Sequence, residues 1–220
     1  MKKTIVLLFA CLIFTGCGST ETEEEKTARL VTESKAALSD YDYEIVDDSV
    51  KLTKYNGKNE VLYILSEYEA DGSEYKTDLS DFSCIVGSSK VKFIIFENGI
   101  EEIANTTFNS SGIQAVYFPN TMKCVYDVSL RYLHPEEESK IQIYYEGTGE
   151  EWNQIFSTYE RQSVKEAWNS NDDWEKKGSA VGASVAEKLN GMMGEYDSSN
   201  YEFHYSVDES QLNELIKSYK

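Results

Sequence analysis

The sequence is short of positive charge, of histidine and of cysteine. Lysine and arginine number 21 against 39 acidic residues, a formal net charge of −18 over 220 residues. Such a chain has little with which to neutralise phosphates, which excludes a nucleic-acid-binding protein. Electrostatic attraction to an anionic membrane surface is excluded on the same ground. The two histidines, His134 and His204, are isolated. Neither has a second histidine or a cysteine at metal spacing, so the sequence implies no metal and no cofactor. There is no glycine-rich phosphate loop and no G-x-S-x-G turn. Of the four cysteines, Cys11 and Cys17 lie in the first residues, which leaves Cys84 and Cys124. An exported chain can pair two such thiols, but two do not make a framework, and they read as unpaired, packed side chains without an assigned redox role.

What is present begins with a targeting segment. "MKK" is a basic start, and "TIVLLFACLIFTG" is an apolar run too short to cross a bilayer as a helix. Gly16 then precedes Cys17. This resembles a bacterial lipoprotein signal peptide, with Cys17 as the lipidated first mature residue; Phe14 stands where leucine is usual. The expected organisation is a signal peptide over 1–16 and an acidic flexible tether over 17–40, with a possible helix over Glu25–Leu38. The implied location is the extracytoplasmic face of a cell membrane, with the lipid on Cys17 as the anchor.

From Tyr41 the texture changes to short β-rich runs: "YEIV", "SVKLTKY", "EVLYIL", "KVKFIIF", "IQAVYF" and "IQIYY". Asn56-Gly57 and Asp71-Gly72 punctuate them as turns. Two stretches repeat. Val91–Phe108 and Ile113–Leu130 match at six apolar positions with an offset of 22 residues, among them Ile94/Val116 and Phe96/Phe118. That period lies in the range of a leucine-rich-repeat solenoid, roughly 20–29 residues, in which stacked units bury one another's apolar edges. Ile143 and Tyr145 continue Val116 and Phe118 at an offset of 27.

On these residues, with "YEIVDDSVKLTKYNG", "FPNT" and "IYYEGTGEEWNQI", the chain resembles the BspA-like leucine-rich-repeat family of bacterial cell-surface proteins. The resemblance covers roughly 41–156. It implies an α+β fold built on a short leucine-rich-repeat solenoid of about four coils. It also implies adhesion or partner binding without catalysis or cofactor. Two departures stand out: "EVLYILSEYEADGSEY" lacks the usual Ile-Pro, and the closing strand does not follow Trp152. "NYEFHYS" at 200–206 reads as that strand. This makes 157–199 a helical insertion, with Val181, Val185, Leu189 and Met192 on one stripe, and 200–220 a closing strand and C-terminal helix. Ser206 and Glu209 suggest a capping box for that helix, with Leu212, Leu215, Ile216 and Tyr219 as its apolar stripe.

The candidate binding site is the strand face opposite the repeat core: Ile95, Tyr117 and Tyr144 as a ladder, with Phe93 beside it. Aromatic side chains on an open sheet offer large contact area at low entropic cost, suited to a surface protein or a glycan. The competing expectation is that the insertion covers this face, as befits a structural or assembly protein of the envelope. Trp152 reads as structural, closing the last unit over Ile155 and Tyr145. An exported hydrolase is the third class. Glu150 and Glu151 are adjacent and diverge, unlike the convergent pair of a glycosidase, and no local pattern supports Cys84 or Cys124 with His204 as nucleophile and base. "NSNDDWE" at 169–175 alternates oxygen-bearing residues but lacks the glycine and distal glutamate of a calcium loop. Asn105 and Asn109 match glycosylation sequons that carry little meaning in a bacterial lipoprotein.

Overall fold

A computed structural model describes residues 21–79, 90–103, 112–130, 133, 139–157 and 197–220. Cys17, Cys84, His134, Asn105, Asn109, the 169–175 segment and nearly all of 157–199 lie outside them.

The centre is a five-stranded sheet. Its strands are β3 (Val61–Ile64), β6 (Phe93–Phe96), β8 (Ala115–Phe118), β10 (Ile141–Tyr145) and β12 (Tyr201–Tyr205), in the order β12-β10-β8-β6-β3 and all parallel. β6 and β8 are buried at every position. This is the near-continuous apolar composition that a parallel sheet covered on both faces requires. Side chains alternate along a strand, so register alone sorts them into two faces.

One face carries the column Leu62, Ile94, Val116, Ile143 and Phe203. It packs against a small parallel sheet of β7 (Glu102–Ile103), β9 (Cys124–Tyr126) and β11 (Phe156–Ser157), through Ile103, Val125 and Phe156. The short helix α3 (Gly149–Ile155) brings Trp152 into the same core, 3% exposed. Its ring meets those of Phe118, Tyr145, Phe156 and Phe203 at centroid distances of 5.3–5.6 Å.

A second unit is a four-stranded mixed sheet in the order β1-β2-β5-β4: β1 (Tyr41–Val46), β2 (Ser49–Tyr55), β5 (Ser73–Asp78) and β4 (Glu67–Ala70). β1–β2 and β4–β5 are antiparallel hairpins, and β2–β5 is parallel. Asp71 and Gly72, both at positive φ, form the two-residue turn of the second hairpin.

Two glycines are set by close approach. In both "YNG" and "YEG" the tyrosine folds back over the glycine two residues on. A Cβ on Gly57 would strike the Tyr55 hydroxyl, and one on Gly147 would lie 2.6 Å from the Tyr145 ring.

Two helices cover the other face of the parallel sheet. α1 (Glu23–Ser34) starts with a capping box, in which Thr22 and Glu25 satisfy each other's end groups. α4 (Glu209–Tyr219) comes from the C-terminus. The short helix α2 (Asp127–Leu130) follows β9.

This arrangement corrects the expected fold class. The α+β leucine-rich-repeat solenoid of about four coils is not what the chain builds: a mixed four-stranded sheet stands beside the parallel ones, and the five-stranded parallel sheet is covered on both faces rather than left as the open face of repeat coils. The 22-residue offset has another source. It registers Ile94 against Val116, and any in-register parallel pair produces such an offset, coil or not. The 17–40 segment also differs from a free tether, because from Glu23 it is a helix packed on β3 and α4. The cap of α4 is Asp208 with Gln211 rather than Ser206 with Glu209. Ser206 takes a positive φ of 57° and ends the strand instead.

Candidate functional site

The strand-face residues are under the helices. Register places Tyr63, Ile95, Tyr117, Tyr144 and His204 in one column, with Phe93 in the next. Phe93 and Ile95 are fully buried, and Tyr117 is 5% exposed. They form one apolar cluster with Val207, Leu212 and Ile216, flanked by Leu30, Val31, Leu215 and Tyr219. The ring of Tyr219 sits 4.9 Å from that of Phe93. The ladder therefore is not open to a ligand at Phe93, Ile95 or Tyr117. Burying that much aromatic and aliphatic surface is what docks the amphipathic α4, and exposing it would be costly. The cover comes from the two terminal helices; the insertion stripe Val181, Val185 and Leu189 lies outside the described residues.

At the β12 end of the column the cover is incomplete, and a groove opens. It is lined by Tyr144, His204, Tyr205 and Val207 on the sheet side and by Ser210, Gln211, Glu214, Leu215 and Ser218 on α4. Its volume of about 620 Å³ is that of a small-molecule site, but it is shallow and wide-mouthed. The pairing of adjacent strands explains its composition. Tyr144 and His204 are register partners and stack at 4.8 Å, with planes 21° apart. α4 turns its alternate side, the serines, Gln211 and Glu214, towards the opening because its apolar stripe is spent on the sheet.

Hydrogen bonds set the chemistry of the groove. The Gln142 amide nitrogen donates to the Lys140 carbonyl at 3.0 Å and to Glu202 Oε2 at 3.3 Å. Its oxygen is therefore turned towards His204 Nε2, 2.7 Å away. The imidazole donates from Nε2, which leaves Nδ1 as an acceptor in the neutral ring. Burial holds the pKa of the Tyr144 hydroxyl above the usual tyrosine value, with Tyr219 acting in the same direction. Glu214 is paired with Lys217 at 2.8 Å. The groove thus presents a ring stack, hydroxyls and amides, and a neutralised carboxylate.

The other residues singled out in the sequence fall elsewhere. Glu151 closes the α3 capping box, accepting from the Thr148 amide at 2.7 Å and its hydroxyl at 3.0 Å. These bonds lower its pKa, with the backbone contribution first, and commit the carboxylate to the helix end. Glu150 is exposed at the same terminus. Cys124 is a half-buried free thiol. Among the described residues, no three histidine, cysteine or acidic side chains gather where they would hold a metal ion, and no helix is long and apolar enough to cross a membrane. The Gln142–His204 bond and the α4 wall were not read from the sequence. Their signal, two polar residues on the Tyr144 side of "IQIYY" and "YEFHY", becomes visible only once the two strands are known to pair.

No protein-family model, no curated protein and no solved structure matches the chain.

Proposed function

We propose that this is a lipid-anchored extracytoplasmic protein whose role is non-catalytic recognition of a glycan at the groove between β12 and α4. The lipid anchor rests on the Cys17 signal, and the BspA-like resemblance points the same way on location. The observation that carries the recognition role is the groove's composition: the Tyr144–His204 stack beside Ser210, Gln211 and Ser218. Aromatic faces with rigid amide and hydroxyl neighbours suit a flat polyhydroxylated ligand, and the sheet and helix hold them in place without a closing motion. The chain's charge of −18 favours a neutral or basic ligand over an acidic polysaccharide.

Titrating the mature chain with neutral oligosaccharides while following the NMR shifts of His204 and Gln211 tests this. Binding that shifts these residues and is lost in His204→Ala and Gln211→Ala supports the reading. Shifts confined to other surfaces, or no saturable binding, would refute it. Triton X-114 partitioning of wild type against Cys17→Ser tests the anchor separately.

A second reading is favoured by a specific observation. The aromatic ladder is sealed by the chain's own helices, which suits a structural or assembly protein of the envelope with no small ligand. An exported, anchored chain that binds no oligosaccharide but is recovered in a defined envelope complex would support that reading instead.

A further inference from the structure

We infer that the outer edge of β1 is a docking site for an extended, basic segment of another protein, which adds to the four-stranded sheet as a further strand. β1 ends the order β1-β2-β5-β4. Among the described residues, nothing pairs with its outer side. Its loop to β2 is the two residues Asp47 and Asp48, between the partners Val46 and Ser49. In a hairpin with a two-residue loop the closing pair exchanges hydrogen bonds, and pairs then alternate. Val46 and Glu44 therefore bond to β2, whereas Ile45, opposite Val50, and Tyr43, opposite Leu52, direct their N–H and C=O groups outward.

The same stretch carries exposed apolar surface. Tyr43 is 41% exposed, Ile45 39% and Val46 46%, and the only other large apolar side chain so exposed among the described residues is Tyr205. Edge strands are usually blunted by lysine, proline or a bulge. β1 has no lysine or proline, and its irregularity lies at Asp42/Tyr43, at the start of this stretch. Strand addition uses these two features together: outward main-chain groups supply hydrogen bonds, and alternate side chains supply contact.

Charge selects the occupant. The hairpin carries Asp40, Asp42, Glu44, Asp47 and Asp48 against Lys51 and Lys54, and both lysines lie across the inner side, opposite Glu44 and Asp42. A second copy of this chain would bring a like-charged hairpin, in a molecule of net −18, against the same edge. A partner strand alternating lysine with valine or threonine meets the apolar and the acidic requirement at once.

The test uses a capped peptide of alternating lysine and valine, with its glutamate/valine counterpart and a lysine/glycine peptide as controls. Affinity is read by fluorescence anisotropy, and amide hydrogen exchange is followed at Tyr43 and Ile45 of the mature chain. The lysine/valine peptide is expected to bind and slow exchange at those two amides. Ile45→Pro removes an outward N–H without touching the β2 ladder and should weaken binding by about tenfold or more, the loss of about one main-chain bond and its partner. Ile45→Lys keeps the backbone and should weaken the basic peptide alone, so a folding defect in the proline variant would not leave the matter open. Four results would overturn the proposal: equal binding of the lysine/glycine peptide, indifference to both substitutions, amides already protected in the free chain, or a dimer that Ile45→Pro dissociates.

Discussion

Ile216→Ala tests how the strand face is sealed. Ile216 is 1% exposed and lies in the cluster with Phe93, Ile95 and Tyr117. Truncating a buried isoleucine to alanine costs ~2–5 kcal/mol, through lost transfer energy and the cavity left behind. α4 lies at the molecule's edge and can settle into the gap, so the lower part of that range applies, about 2–3 kcal/mol. For a chain of this size each kcal/mol lowers Tm by about 2–4 °C, giving a fall of roughly 4–12 °C. Circular dichroism melts of the mature chain measure it, with hydrogen exchange over β6 and β8 to show where protection is lost. Lys220→Ala is the control. It removes a surface pair at 3.4 Å between the end of α4 and Glu33 of α1, and such pairs contribute little. If Ile216→Ala moves Tm no further than Lys220→Ala and leaves exchange unchanged, α4 does not seal the face and the groove has no fixed wall.

Further outcomes follow from the same packing. Trp152→Ala should cost about 3–5 kcal/mol, read by denaturant unfolding, because its ring joins four others in the core; a cost below about 1 kcal/mol would mean the two parallel sheets do not depend on it. Gly57→Ala and Gly147→Ala should each cost about 1–3 kcal/mol, since the new Cβ displaces the Tyr55 or Tyr145 ring; unchanged melts would show those rings free to move. Burial raises the pKa of Tyr41, Tyr117 and Tyr144 and pushes that of Tyr63 up to about 12. The folded chain therefore keeps protons that the unfolded chain loses near pH 10. The stability these groups contribute is complete below that pH and is lost as pH rises through their folded values. Tyrosinate absorbance should then rise together with unfolding; ionisation of every tyrosine near pH 10 with the fold intact would contradict the burial.

The apolar set was legible from composition and spacing. Leu62, Ile94, Val116 and Ile143 stand at strand positions that the sequence marks, and Asp71-Gly72 marks a hairpin turn. The offset was legible too, but its meaning was not, because a constant offset between two segments shows that they pair in register as parallel strands and does not by itself specify a repeat coil. The stripe Leu212, Leu215, Ile216 and Tyr219 was legible as a helix face that needs a partner. Which surface it meets was not, since many apolar surfaces satisfy a stripe equally and the choice depends on where the chain ends are brought.

By itself, then, the sequence determined the charge, the scarcity of histidine and cysteine, the strand segments and the amphipathic helix. These depend on residue type and on periods of two and 3.6 residues, which are local properties. Only the tertiary structure decided that the aromatic ladder lies under the terminal helices, that Gln142 orients His204, and that β1 is an edge. Each of these joins residues far apart in the chain, through pairings whose free energy belongs to the assembled sheet and to no single segment.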